Sequence, residues 1–176
     1  SLLGLNGTGA FTLTNASNAI GTIAAGSSGA KVGAVSVYDA SGGLTIGQVG
    51  SLEGISSTGD VLIETGSGDI ALARSIATDR TSNDAIIANA GTSTAAGTAT
   101  GGEVVVSGSP TLSTGSGAIV KMFSGSESAS TGLTTLVGGS SNVYYGVDET
   151  STLSPTPSSG TKSAGLSITT KGVAGA

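Results

Sequence analysis

Apolar and polar residues alternate in short runs along most of the chain, the two-residue period of a strand with one buried face. The runs are Phe11-Thr12-Leu13, Val35-Ser36-Val37, Leu44-Thr45-Ile46, Val61-Leu62-Ile63, Ile70-Ala71-Leu72, Val104-Val105-Val106, Val143-Tyr144-Tyr145 and Leu166-Ser167-Ile168. Small or polar residues, chiefly Gly and Ser, separate them. The three-and-four spacing of an amphipathic helix is nowhere sustained, and residues 75–89, ending before Gly91, come nearest to it.

Spacing converts these strands into an architecture. Starts at Phe11, Val35, Val61, Ile86, Val120, Val143 and Leu166 lie about 24, 26, 25, 34, 23 and 23 residues apart. A second series, Leu44, Ile70 and Val104, trails the first by about 9 residues in its first two members, with Ile20 or Ile23 as an earlier one. Two strand columns with a period in the twenties predict an all-β chain, a parallel β-helix or β-solenoid of about seven coils, each paired with the next at ~4.8 Å. A sandwich or closed barrel would place its strands at hairpin spacings of roughly 8–12 residues and lack the constant lag. Residues 1–176 thus read as a single solenoid segment, part of a longer rod, with surface loops at 91–102 and 151–162. The first loop, with a turn at Pro110, accounts for the one long interval, and the second carries Pro155 and Pro157, which a central strand does not tolerate.

Composition sharpens this. Gly makes up 31 of 176 residues against a usual ~7%, and only 3% of the chain is aromatic. Such a chain builds a core from Val, Ile, Leu and Ala and leaves Gly for turns, which suits a narrow interior. His and Cys are both absent. That excludes Ser-His-Asp and Cys-His nucleophiles, imidazole or thiolate zinc sites, iron–sulfur clusters and disulfides. A net charge of -5 with six scattered bases speaks against nucleic acid as a partner. No apolar run approaches the ~20 residues of a membrane-spanning helix, so no transmembrane segment is expected. The chain opens at Ser1, which reads as a processed product or a piece of a longer one.

Several motifs suggest chemistry and fall to simpler readings. Asp148-Glu149 is an adjacent acid pair, but neighbours on a strand face opposite ways, so a solvated pair is expected. Asp69 and Glu103 stand just before Ile70 and Val104, and the column alignment stacks them about 5 Å apart. Like charges so placed repel unless solvated or bridged by a cation such as calcium, and the expected outcome is an exposed strand edge. Gly66-Ser-Gly-Asp69 lacks the nonapeptide recurrence of calcium-binding repeats. Ser28-Gly-Ala-Lys31 and Ser159-Gly-Thr-Lys162 match S-x-x-K without its companion motifs, and Gly160-Thr-Lys-Ser163 echoes a phosphate loop with Pro155 where the first Gly belongs. Asn6-Gly-Thr8 and Asn15-Ala-Ser17 are glycosylation patterns. Tyr38, Tyr144 and Tyr145 are the tyrosines, and an outward Tyr144 could stack on a sugar. No catalytic, cofactor-binding or metal-binding residue is assigned, and no cofactor is expected.

Four stretches carry a family resemblance: Ala85-Ile-Ile-Ala-Asn-Ala-Gly91, then Ala96-Gly-Thr-Ala-Thr-Gly-Gly-Glu-Val-Val-Val-Ser-Gly-Ser-Pro110, then Ser130-Thr-Gly-Leu-Thr-Thr-Leu-Val-Gly138 and Asn142-Val-Tyr-Tyr-Gly-Val-Asp-Glu149. They resemble the repeat region of filamentous-haemagglutinin-like large bacterial exoproteins. The resemblance implies a right-handed parallel β-helix, secretion to the bacterial cell surface, and service as an adhesin or fibre without shared catalytic residues. The expected function is therefore that of a structural, adhesive, non-enzymatic segment. No end cap is evident in the sequence, so copies are expected to self-associate end to end into a filament. The alternatives are a module that binds a host or surface glycan or receptor, and a polysaccharide-active β-helix enzyme, which would need charged residues converging on one face.

Overall fold

Each alternating run from Phe11 to Tyr145 forms a strand; in Val35-Ser36-Val37, Leu44-Thr45-Ile46 and Ile70-Ala71-Leu72 aliphatic residues bury one face while Ser, Thr and Ala occupy the other. The computed structural model describes residues 1–81, 84–94, 101–147, 153, 156–158 and 160–166. In chain order its strands are β1 (Leu2–Leu5), β2 (Phe11–Leu13), β3 (Thr22–Ala25), β4 (Val35–Asp39), β5 (Leu44–Ile46), β6 (Gln48–Val49), β7 (Leu52–Glu53), β8 (Ile55–Ser57) and β9 (Val61–Thr65). They continue as β10 (Ile70–Leu72), β11 (Ile76–Thr78), β12 (Asp84–Asn89), β13 (Val104–Val106), β14 (Leu112–Ser113), β15 (Ile119–Ser124), β16 (Val143–Tyr145) and β17 (Lys162–Leu166). A single helical turn, α1 (Leu133–Leu136), and a 3-10 turn over Ser140–Asn142 lie between β15 and β16.

The fold is all-β, and its two large sheets are parallel. The first runs β2-β4-β9-β12-β15-β17-β16. Its register aligns Phe11, Val35, Val61, Ile86 and Val120 in one row and Leu13, Val37, Ile63, Ala88 and Met122 in the next but one. From Val35 and Val37 onward both rows are buried. The second sheet consists of two columns that share β3. One is β1-β3-β5-β10-β13, which confirms the series Leu44, Ile70 and Val104 and places Ile23 opposite Ile46. The other, β8-β11-β14, aligns Ile55, Ile76 and Leu112 and joins β3 at Ala25. This third column has no counterpart in the two-column expectation, because each of its strands offers a single inward apolar residue, Ile55, Ile76 or Leu112. From β4 to β15 the chain visits the three columns in a repeating order, interrupted once by the antiparallel hairpin β6–β7.

Where the columns meet, polar side chains face inward and bond to turn backbone. Asp39 is fully buried and its Oδ1 accepts from the Ile20 amide at 2.7 Å. Thr65 lies opposite Asp39 in register, and its hydroxyl donates to the Gly68 carbonyl and accepts from the Gly91 amide. Ser57 and Thr78 are likewise aligned, both donating to the Gly59 carbonyl. These turns stack backbone directly on backbone. A Cβ on Gly68 would sit 1.6 Å from the Gly42 carbonyl oxygen, so only glycine fits there.

Residues 75–89, where helical spacing is nearest but not sustained, form strands β11 and β12 as an all-β chain requires, while two expectations change. The end of the chain does not add strands in sequence order: β17 lies directly on β15, with Val120 opposite Lys162, and β16 lies outside β17, with Val143 opposite Ala164. Small residues permit the insertion, since any side chain at Gly165 would meet the Phe123 ring at 2.7 Å. Lys162 therefore begins a strand instead of closing the 151–162 loop, and the run from Leu166 lies outside the described residues after its first position. A cap is also present. The Val106 amide donates to the Thr131 carbonyl, and Leu133 and Val137 are buried, so the segment around α1 covers the end of the β13 column. The loop at 91–102 is described at 91–94 and 101–102 only.

Candidate functional site

Two places gather polar chemistry. The first is the turn leading into β10 and β13. Register pairs Ile70 with Val104, so the preceding Asp69 and Glu103 become neighbours, as their spacing predicts. Gly101 and Gly102 adopt φ of 74° and 105°, a left-handed backbone that returns the chain toward β13 with two amides aimed at one oxygen. Asp69 Oδ1 accepts from Gly102 N at 2.9 Å and Glu103 N at 3.0 Å.

The Glu103 side chain is only 2% exposed, and its Oε1 has no hydrogen-bond partner among the described residues. Burial, then a hydrogen bond with Asp69, then the Asp69 charge push its carboxyl up from 4.5 to about 7. Below neutrality the two acids share their site by leaving a proton on Glu103. The expected exposed edge is thus corrected to a buried Glu103 beside a half-buried Asp69. Among the described residues no group of three His, Cys, Asp or Glu side chains stands together here.

The second place is an open cleft of ≈ 510 Å³ between the ends of the two sheets. Val106, Pro110 and Leu136 form its apolar wall, Ser109, Thr111 and Thr135 bring hydroxyls, and Lys162 stands at one side. The lysine occupies the row of Val61, Ile86 and Val120, a row buried at every one of those positions. The other bases among the described residues are engaged. Lys31 pairs with Asp79 at 2.5 Å, Arg80 with Asp60 at 2.8 Å, Lys121 with Asp84 at 2.8 Å and Arg74 with Glu53 at 3.7 Å. No described acid pairs with Lys162.

The remaining sequence candidates are dispersed. Asn6 and Asn15 are exposed, each accepting a backbone amide from the turn that follows it, so both patterns lie on accessible turns. Tyr145, not Tyr144, is the exposed tyrosine; its hydroxyl donates to Glu127 at 2.7 Å, a bond that raises its pKa. Lys31 is committed to Asp79, and Asp148, Glu149 and Ser159 lie outside the described residues. Sequence reasoning missed the buried Asp39 and the cleft. Lys162 falls 42 positions after Val120, well outside the repeat, so no periodic signal pointed to it. Comparison with protein families, curated proteins and solved structures finds no match to this chain.

Proposed function

We propose that the chain winds as a right-handed parallel β-helix of about seven coils and serves as a structural, adhesive segment of a secreted bacterial surface exoprotein of the filamentous-haemagglutinin type. The observation that carries this reading is the repeating order in which the chain visits its three parallel columns, with the register kept from Phe11 to Val120. A chain that returns to each column once per circuit stacks every circuit on the one before, and crossovers between parallel strands of one sheet favour the right hand. Continuous pairing along the axis gives stiffness without disulfides, which the absence of Cys requires. Seven coils at ~4.8 Å make a rod of roughly 30–35 Å.

In this reading the work is mechanical, and no catalytic residue is needed. Self-association into a filament would proceed through the β1 and β2 edges, which lie outermost in their columns and carry no cap among the described residues. The test is protease shaving of intact source cells, with mass spectrometric detection of released peptides and electron microscopy of the shed material. Peptides of this chain in the shaved fraction together with elongated particles are the expected result. Detection only after cell lysis overturns the surface assignment, and isolated round particles overturn the fibre.

A further inference from the structure

We infer that the cleft beside Lys162 is a binding site for an acidic saccharide, one whose rings each carry a single carboxylate. The inference depends on neither the winding nor the location proposed above. A row that is Val61, Ile86 and Val120 in successive strands ends in a lysine, at a point where the interior opens into ≈ 510 Å³ of space. That volume lies within the range of small-molecule sites, ~300–1,000 Å³, and admits one or two pyranose rings. The ammonium has no acidic partner among the described residues, whereas Lys31, Arg74, Arg80 and Lys121 all have one. An amphipathic cation over a cleft, with no acidic partner among the described residues, is a point-charge anchor for a carboxylate.

The rest of the lining selects the ligand class. Pro110, Val106 and Leu136 offer an apolar wall to the C–H face of a sugar ring. Ser109 and Thr135 bring exposed hydroxyls to its ring oxygens, while the Thr111 hydroxyl is shared with Ser75 at 3.1 Å. A chain of net charge -5 repels a densely sulfated or phosphorylated polymer, whereas one carboxylate per ring matches one lysine.

The experiment titrates the whole chain with tetragalacturonate, using maltotetraose as the neutral control of equal length, and follows binding by calorimetry and by chemical-shift changes. Saturable binding of the acidic oligomer, at least tenfold weaker for the neutral one, is expected. Lys162→Gln should weaken it at least tenfold and Lys162→Arg less than threefold. Thr135→Trp, placed at an exposed position to fill the cleft, should abolish it; an unchanged thermal transition establishes that each variant is folded. Absence of saturable binding, equal binding of maltotetraose, or binding unaffected by both Lys162→Gln and Thr135→Trp overturns the site. If Lys162→Gln instead increases association by light scattering and leaves sugar binding unchanged, the lysine is a stop against axial stacking and the saccharide site is refuted.

Discussion

Replacing Glu103 by Gln is predicted to stabilise the fold at pH 8 and to change it little at pH 4. In the folded chain the carboxyl titrates at about 7, against 4.5 when unfolded. Between those values the folded state keeps a proton that the unfolded state has released, so stability falls as pH rises from 4.5 toward 7 and is level above. At about 1.4 kcal/mol per pH unit, that window caps the loss at about 3.5 kcal/mol, and residual hydration of a turn reduces the expected figure to roughly 1–2 kcal/mol. A Gln amide can donate to Asp69 as the protonated acid does, at every pH. Urea unfolding of wild type and Glu103→Gln, followed by circular dichroism from pH 4 to pH 8.5, gives the difference directly and cancels the contribution of all other acids. Asp69→Asn keeps the Oδ1 acceptor for Gly102 and Glu103 but removes the charge, and should shrink the pH dependence without abolishing it, since burial is the larger cause. A difference between wild type and Glu103→Gln that does not vary with pH, or one that favours wild type as pH rises, refutes the raised titration of the buried Glu103.

Other consequences can be measured in the same unfolding assay. Gly68→Ala should cost more than about 2 kcal/mol, because its Cβ would lie 1.6 Å from the Gly42 oxygen, whereas Gly9→Ala, with nothing within 4 Å, should stay within about 0.5 kcal/mol. Ile63→Ala empties a fully buried position and should lose about 2–5 kcal/mol, while Leu62→Ala, on the opposite face of the same strand, should lose clearly less; equal losses would contradict the strand's facing. Lys121→Ala breaks the pair with Asp84 at 2.8 Å but should cost under about 1 kcal/mol, falling further in high salt, because both groups are partly exposed.

The parts of the fold that were legible in the sequence are those where one strand repeats another. Val35, Val61, Ile86 and Val120 announce a buried row because the period of two within each run and the period in the twenties between runs are both written in apolar residues. The column Ile55, Ile76 and Leu112 was illegible because the second inward position of its three-residue strands is polar, Ser57 and Thr78, so each strand shows one inward apolar residue and no alternation. The order of the last strands was illegible for a different reason. Val143-Tyr144-Tyr145 looks like the next repeat after Val120, but residues 125–142 are spent covering β13, and the small Ser163-Ala164-Gly165 can slip beside the Phe123 ring where tyrosines cannot. Of the polar sites, spacing located Asp69 and Glu103 correctly but gave no sign that Glu103 is buried, which depends on how Gly101 and Gly102 bring the chain back.

That distinction bears on what holds the register. An apolar row of Val and Ile is nearly indifferent to a slip by one whole repeat, since each member resembles the next. The inward polar groups are not indifferent. Asp39 accepts one amide, from Ile20, Thr65 serves both Gly68 and Gly91, Asp69 holds Gly102 and Glu103, and Ser124 accepts from Val104. Each needs a particular neighbour, and a slipped strand would leave a buried polar atom without one, at about 1–3 kcal/mol apiece. The apolar rows therefore supply most of the driving force for stacking, while the corner residues choose which repeat lies on which. On this argument Thr65→Val, close in shape and without the hydroxyl bonds, should loosen register more than it lowers the unfolding midpoint. Amide exchange at Gly91 that accelerates well beyond the global loss of stability would bear that out, and exchange that follows global unfolding alone would count against it.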